Sequence, residues 1–243
     1  MTLKGLILAG GKGTRLHLCT DITNKHLLPV WDRPMIDWAL MHLADLDITD
    51  PARIGIVIGD HFGDTIRNYL GPKYQYIEQG PADGIGNAVR IAHSFIQDSP
   101  FVVHLGDQIY TESLLRHYQE WQKQDTDIHV MLRWYEHANR HTVVSIKDDR
   151  ITGLVEKPKE PEEGFVMVGI SFYKSKIFSV LQDLNPGHNS EYQLSDAITL
   201  ALKRGLSISY SILEEEWVDA GTPENLLYAS HMIKKWRKEE NDI

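Results

Sequence analysis

This chain of 243 residues has a single cysteine, no long apolar run and no excess of basic residues. Its one cysteine, Cys19, has no partner for an internal disulfide, and such sparing use fits a reducing compartment. No run approaches the roughly 20 apolar residues of a transmembrane helix, and no basic start leads into an apolar segment with a cleavage site. From these absences we expect a cytoplasmic protein without a membrane partner.

The charge balance argues against a nucleic-acid partner. The chain has 25 Lys and Arg residues against 34 Asp and Glu residues, for a formal net charge of −9. Nucleic-acid-binding proteins typically present a basic surface instead. A local basic site can still bind an anionic small molecule. Hydrophobic residues make up 42% of the chain, which is the share of a globular protein that buries a sizeable core.

Apolar segments of strand length, such as 101–105, alternate with segments of helical periodicity, such as 85–95, through the first half of the chain. This alternation is typical of βαβ units and a mostly parallel sheet. The second half changes character, with a predicted hairpin across residues 147–150, further mixed strands, a predicted helix over 194–203, and a predicted turn over 217–223. We therefore predict an α/β fold in which a mostly parallel sheet is flanked by helices and followed by a mixed-strand part.

The sharpest local pattern is a glycine-rich loop after the first apolar strand, over Leu8–Leu16. Its glycines permit positive φ and let backbone N–H groups approach phosphate oxygens. Arg15 and Lys25 supply positive charge to the same place. The pattern is not a P-loop, because glycine rather than Ser or Thr follows Lys12. It is not the dinucleotide fingerprint of an oxidoreductase either, since that motif requires glycine or alanine where Leu16 stands.

Two carboxylates complete the candidate site. Asp107 follows a buried strand, and Asp219 lies in the predicted turn near the end of the chain. Parallel sheets bind ligands at the carboxyl ends of their strands, so the glycine loop, Gln79 and Asp107 should meet at one edge. Two carboxylates and a set of phosphates would make an oxygen-ligand site for Mg²⁺. The ordinary alternatives are a helix N-cap for Asp107 and a turn residue for Asp219.

Five segments in fixed order carry a wider resemblance, namely Leu8–Leu16, Lys25–Pro29, Leu105–Asp107, Glu156–Pro158 and Trp217–Thr222. Together they are similar to the sugar-1-phosphate nucleotidyltransferases, and most closely to the short form of the bacterial glucose-1-phosphate thymidylyltransferases. The resemblance implies a single Rossmann-like domain, 1–243, with an inserted acceptor-binding part. Its parts would be a nucleotide-binding part over 1–135, an acceptor-binding part over 136–215, and a closing turn with a C-terminal helix over 216–243.

The resemblance also implies an enzyme that moves a nucleoside monophosphate from an NTP to a sugar phosphate and releases pyrophosphate. Arg15, Lys25 and Asp107 would be catalytic, and Asp107 and Asp219 would bind Mg²⁺. The remaining positions carried over are nucleotide-binding, at Leu8, Ala9, Gly10, Gly11, Gly13, Thr14, Gln79 and Gly84, and acceptor-binding, at Thr142, Glu156, Lys157, Val168 and Gly169.

The acceptor positions depart from the family pattern. His141-Thr142 stands where the family has a Tyr-Gly pair, and Ser171 stands where the family has an aromatic residue. The resemblance makes dTTP with glucose 1-phosphate the first pair of substrates. These departures lead to the alternative hypothesis of CTP or UTP with another sugar phosphate or a small phosphate or phosphonate. A non-catalytic nucleotide-sugar sensor on the same fold is the alternative from another class. A homo-oligomer is compatible with either.

Overall fold

The structure is a computed structural model that describes residues 2–160, 163–187 and 190–241. Its strands, numbered in chain order, are β1 Lys4–Ala9, β2 Pro29–Val30, β3 Arg33–Pro34, β4 Ile54–Gly59, β5 Gln75–Gly80, β6 Phe101–Leu105, β7 Gln108–Tyr110, β8 Ile128–Tyr135, β9 Thr142–Lys147, β10 Arg150–Glu156, β11 Gly164–Tyr173, β12 Ile208–Ile212 and β13 Trp217–Asp219. Its α-helices are α1 Met35–Ala44, α2 Gly63–Leu70, α3 Ile85–Ile91, α4 His93–Ile96, α5 Leu115–Gln124, α6 Ile177–Leu181, α7 Leu194–Lys203 and α8 Pro223–Asn241. Short 3₁₀ helices cover Thr14–Thr20, Lys25–Leu27, Pro51–Arg53 and Ala138–Arg140.

The chain divides into two compact units. The loop unit comprises residues 7–82, 104–114 and the part from 214 on, and it contains the glycine loop. The hairpin unit comprises the residues up to 6, then 83–103 and 115–213, and it contains the β9–β10 hairpin. The single domain with three parts that the resemblance implies stays a prediction.

In the hairpin unit a set of mixed strands surrounds β8. Strand β12 pairs with β8 in parallel, and β11 pairs with β8 from Gly164 opposite Tyr135 to Tyr173 opposite Ile128, antiparallel. The hairpin β9–β10 joins this set because β9 pairs with β11. Aromatic rings fill the core on the helix side, where Phe101 stacks on both Tyr173 and Phe178. Strands β9, β10 and β11 of this set carry most of the predicted acceptor residues.

In the loop unit parallel pairing of β4 and β5 is accompanied by two short antiparallel ribbons, β2–β3 and β7–β13. The end of β1 that belongs to this unit is buried, and Ile7 and Ala9 expose none of their surface. A second apolar cluster joins helices α1 and α8 to the two ribbons, through Val30, Met35, Trp38, Ile109, Val218, Ala220, Ala229, Met232 and Ile233. No helix in the described ranges combines the length and the apolar character that spanning a bilayer requires.

Two of the differences from the sequence-based expectation have a clear local reason. The helix predicted over 85–95 is two helices, because Ala92 leaves helical ψ and its N–H bonds three residues back to Val89. The turn predicted over 217–223 is wrong at its start, because Trp217–Asp219 is the strand β13. Its partner β7 is distant in sequence, and a three-residue strand carries no periodicity that could announce it.

Candidate active site

The glycine loop follows β1 directly, and close packing explains its glycines. Gly13 has a φ of +70°, and a Cβ there would lie 2.8 Å from the Thr20 side chain. A Cβ on Gly10 would lie 2.8 Å from Gln79 Oε1, and one on Gly11 would lie 3.2 Å from Lys25 Cε. The backbone therefore approaches both Gln79 and Lys25, as expected for a loop whose N–H groups must reach a ligand. Leu8, Ala9 and Thr14 flank these glycines on the same stretch of chain.

Buried side chains hold the loop and Lys25 in place. The Asn24 amide donates from Nδ2 to the Ala9 carbonyl at 3.4 Å and to the His61 carbonyl at 3.3 Å. Its Oδ1 accepts the His26 N–H at 3.0 Å and lies 2.7 Å from His26 Nδ1. Burial, together with the charge of Lys25, lowers the pKa of His26 to about 3, so the ring is neutral and donates through Nδ1. Sequence reasoning missed both residues; the one available signal was an asparagine at the N-cap of a short helix.

Lys25 and Asp107 form a buried ion pair beside the loop. Lys25 Nζ contacts Asp107 Oδ2, and only 11% and 12% of the two side chains is exposed. Burial by itself would raise the pKa of Asp107, but the neighbouring Lys25 ammonium holds that pKa well below its usual range. Asp107 is therefore a carboxylate at neutral pH, paired with a cation that also packs against Gly11.

Strand pairing brings the second carboxylate to the first. β13 runs antiparallel to β7 with Asp219 opposite Gln108, and the Ala220 N–H donates to the Asp107 carbonyl at 2.9 Å. Arg15 lies 3.6 Å from Asp219 Oδ2, while Asp219 Oδ1 accepts the Gly221 N–H at 2.9 Å. Burial, and then the charge of Asp107, raises the pKa of Asp219. Its neighbour thus makes the ionised form of Asp219 less favourable.

This donor set fits a divalent cation. Mg²⁺ takes one or two protein carboxylates and completes its shell with phosphate oxygens and water. Asp107 and Asp219 repel each other electrostatically, and a cation between them would remove that repulsion. Among the residues that the structure describes, no group of three or more His, Cys, Asp or Glu side chains could hold a metal by itself. Mg²⁺ at the two aspartates stays a proposal.

The hairpin unit gathers three of the predicted acceptor residues around one carboxylate. Thr142 and Glu156 are cross-strand partners on β9 and β10, and the Thr142 hydroxyl donates to Glu156 Oε2. The Ser195 hydroxyl, at the start of α7, donates to the same oxygen at 3.1 Å. Lys157 Nζ lies 3.5 Å from Glu156 Oε1, and Lys157 has a φ of +41°, a strained value typical of functional positions. Sequence reasoning did not select Ser195.

Val168 and Gly169 lie in a bulge of β11. Between the pairs Met167–Leu132 and Ser171–Val130, three residues of β11 stand opposite one residue of β8. Bulges re-aim side chains and are frequent beside functional sites. Ser171, which replaces an aromatic residue of the family pattern, is buried and donates to the Tyr173 hydroxyl at 2.7 Å.

Gly84 belongs to the hairpin unit, whereas Gln79 belongs to the loop unit. Gly84 precedes α3 with a φ of +113°, and a Cβ there would lie 2.5 Å from the Tyr192 carbonyl oxygen. The glycine is thus required by its packing on Tyr192, and its predicted contact with the nucleotide base stays a prediction.

The profile of the nucleotidyl transferase family matches residues 4–235. The chain belongs to this family. Among curated nucleotidyl transferase relatives, the low-salt glycan biosynthesis nucleotidyltransferase Agl11 of Haloferax volcanii is 30% identical over 238 residues. The glucose-1-phosphate thymidylyltransferase of Streptomyces antibioticus is 30% identical over 240 residues. Both alignments cover 95% of this chain, which spans only 66% of the length of either relative.

A solved nucleotidyl transferase structure gives the same picture. It is a Bacillus anthracis protein classed provisionally as a glucose-1-phosphate thymidylyltransferase, in complex with a sucrose. The TM-score is 0.86 at 34% identity, over 95% of this chain and 94% of that one. The family resemblance and the predicted fold class are confirmed: a Rossmann-like α/β fold with a mostly parallel mixed sheet flanked by helices.

Within this nucleotidyl transferase, the predicted residues form two groups. The loop unit holds the glycine loop with Gln79, the Lys25–Asp107 pair and the Arg15–Asp219 pair. The hairpin unit holds Glu156 with Thr142 and Lys157, and the bulge with Val168 and Gly169. The first group can neutralise a polyphosphate, and the second can form hydrogen bonds with a smaller polar group.

Proposed function

We propose that this chain transfers a nucleoside monophosphate from an NTP to a sugar 1-phosphate and releases pyrophosphate. The pair to test first is dTTP with glucose 1-phosphate. The observation that carries the proposal is the arrangement around the glycine loop, where two cations and two carboxylates form the ion pairs Lys25–Asp107 and Arg15–Asp219. Such an arrangement suits a substrate whose concentrated negative charge needs both protein cations and a metal ion.

Positioning and charge neutralisation would do most of the catalytic work. In this proposal the N–H groups of the glycine loop cradle the triphosphate, and Arg15 and Lys25 neutralise charge that builds up as pyrophosphate leaves. A phosphate oxygen of the acceptor attacks the α-phosphorus in line, the bond to pyrophosphate breaks, and no covalent enzyme intermediate is needed. Asp107 and Asp219 would hold Mg²⁺, which when bound supplies a Lewis acid at the phosphates.

The acceptor is the second part of the proposal. The Thr142 side chain fills space beside Glu156 that a glycine would leave open. At position 171 a serine replaces the aromatic side chain of the family pattern. These observations support the alternative acceptors, namely another sugar phosphate or a small phosphate or phosphonate. CTP and UTP are the alternative donors to test with them.

A substrate matrix tests the proposal. Pyrophosphate release is measured for dTTP, UTP and CTP against glucose 1-phosphate, other sugar 1-phosphates and small phosphates or phosphonates, with Mg²⁺ and with EDTA. We expect release that requires an NTP, an acceptor and Mg²⁺ together. A pair that exceeds dTTP with glucose 1-phosphate by orders of magnitude would replace it as the substrates. A protein inert on every pair, yet binding NTP or nucleotide sugar, would instead be a sensor.

A further inference from the structure

Glu156 has almost no hydrogen-bonding capacity left on one of its two oxygens. An ionised carboxylate offers about four lone-pair directions, two on each oxygen. On Oε2 both directions are used, by the hydroxyl of Thr142 across the hairpin and by the hydroxyl of Ser195 on α7. On Oε1 the Lys157 ammonium, 3.5 Å away, takes up one side. Within the ranges that the structure describes, the capacity left for an incoming molecule is therefore on Oε1.

The two hydroxyls are fixed in this arrangement by their surroundings. Ser195 is 4% exposed, and a hydroxyl buried to this extent needs a hydrogen-bond partner, which Glu156 provides. Thr142 sits directly opposite Glu156 in the β9–β10 register, where cross-strand side chains are in contact. The charge of Glu156 also acts on Asp196, because burial, and then that charge, raise the pKa of Asp196. Two donors on Oε2 spread that charge.

We propose that Thr142 and Ser195 determine acceptor specificity by occupying Glu156 Oε2, so that the site disfavours an acceptor presenting a vicinal diol. A diol binds a carboxylate best when each hydroxyl donates to a different oxygen, and here only one oxygen can accept. The site instead suits an acceptor that offers Glu156 a single hydroxyl, beside the Lys157 ammonium. This inference rests on the proposed function, since it assumes that Glu156 faces the acceptor.

The experiment compares glucose 1-phosphate with its 2-deoxy and 3-deoxy analogues. Dissociation constants are measured by isothermal titration calorimetry, with Mg²⁺ and a non-hydrolysable NTP analogue present. The proteins are the wild type, Thr142→Val, Ser195→Ala and the double variant. Thr142→Val keeps the shape of the side chain and removes only its hydroxyl. Matched controls are Thr152→Val, an exposed threonine on β10 that donates to Ser145, and Ser179→Ala, an exposed serine on α6 that donates to Lys176.

In the wild type and the controls we expect deoxygenation to change the dissociation constant by no more than about threefold, since a second hydroxyl finds no free oxygen. In the double variant the parent sugar should gain at least about tenfold over one deoxy analogue, because both oxygens of Glu156 are then available. Each single variant should show a ratio of dissociation constants between those of the wild type and the double variant. The single variants can therefore test the inference even if the double variant unfolds.

Three results would overturn the inference. One is a wild type that already prefers the diol tenfold, another is a folded set of variants with unchanged ratios, and the third is the absence of acceptor binding in every protein. A wild type that binds no acceptor while the double variant binds the diol would support it. Failure of the proposed function is a separate result, because it means no pyrophosphate release in the substrate matrix while these binding ratios are still measured.

Discussion

The two units stabilise their carboxylates with different kinds of partner. In the loop unit, two carboxylates face two cations, and the result is a cluster of formal charges with little net charge of its own. In the hairpin unit, the Glu156 carboxylate is held mainly by two neutral hydroxyls, with Lys157 alongside. A site made of ion pairs discriminates between ligands by their charge. A site made of hydroxyls discriminates between them by the hydrogen bonds that they can form. We infer that the loop unit serves the reacting phosphates and that the hairpin unit chooses the acceptor.

The largest effect should come from the charged cluster. Asp107→Asn removes the negative charge that faces Lys25 and one of the two proposed metal ligands. We expect kcat to fall by about 10³-fold, the range seen when an electrostatic group is lost from an active site. The fall in kcat is measured from the rate of pyrophosphate release at several Mg²⁺ concentrations.

The matched control for this charge removal is Asp64→Asn, an exposed carboxylate on α2 that lies 3.8 Å from Arg67. Surface pairs of this kind contribute little, so its kcat should equal that of the wild type. If Asp107→Asn melts like the wild type and keeps more than a tenth of its kcat, the catalytic and metal-binding role of Asp107 is wrong.

The next effect is a loss of stability at low pH. It concerns a chain of hydrogen bonds in the hairpin unit that passes through the buried His129. The Thr126 hydroxyl donates to the Ile128 carbonyl, so Ser209 donates to Thr126, and His129 Nδ1–H donates to Ser209. While the ring is neutral, His129 Nε2 accepts from Ser211 at 2.9 Å, and protonation would remove that acceptor. Burial, and then the charge of His117, lowers the pKa of His129 to about 4.

The direction of the pH effect follows from that lowered pKa. Unfolded histidine titrates near 6.5, so the unfolded state binds the proton first and stability is lost as pH falls from about 6.5 through about 4. Between pH 7.5 and 4.5 the loss from His129 should be about 2 to 3 kcal/mol. Urea unfolding of His129→Gln should show a loss smaller by that amount, whereas the exposed His231→Gln should behave like the wild type. Equal losses in all three proteins would disprove this assignment.

The smallest effect separates backbone strain from crowding in the glycine loop. Gly71 and Gly13 have similar φ values, +77° and +70°, but a Cβ on Gly71 meets nothing within 4 Å while one on Gly13 meets Thr20 at 2.8 Å. With φ +77° and ψ −179°, Gly71 lies in a region that glycine alone commonly populates, so Gly71→Ala should cost about 1 to 3 kcal/mol of unfolding free energy and leave turnover unchanged. Gly13→Ala should cost about 1 kcal/mol more and lower kcat/KM about tenfold, because the loop must shift. Equal stability and turnover in the two variants would show that the glycine loop accommodates the added methyl group, and the crowding explanation would be wrong.

Local patterns in the sequence predicted much of the fold. Strand β6 and helix α7 have the predicted bounds, Phe101–Leu105 and Leu194–Lys203, because a continuous apolar run and a clear helical period leave little choice. The short strands β7 and β13 were not predicted, since three residues carry no usable period. Candidate residues followed the same rule: the glycine loop and Lys25 stand out as a pattern, while Asn24 and Ser195 do not.

By itself, the sequence determined the secondary structure of the long elements, the family, and the chemical types available to the site. These depend on short-range preferences and on motifs that can be read along the chain. Only the tertiary structure decided that Asp219 lies beside Asp107, through the pairing of β13 with β7. It alone decided that Ser195 and Thr142 share one oxygen of Glu156. Contacts between residues so distant in sequence arise from the packing of whole elements, and no local preference encodes them.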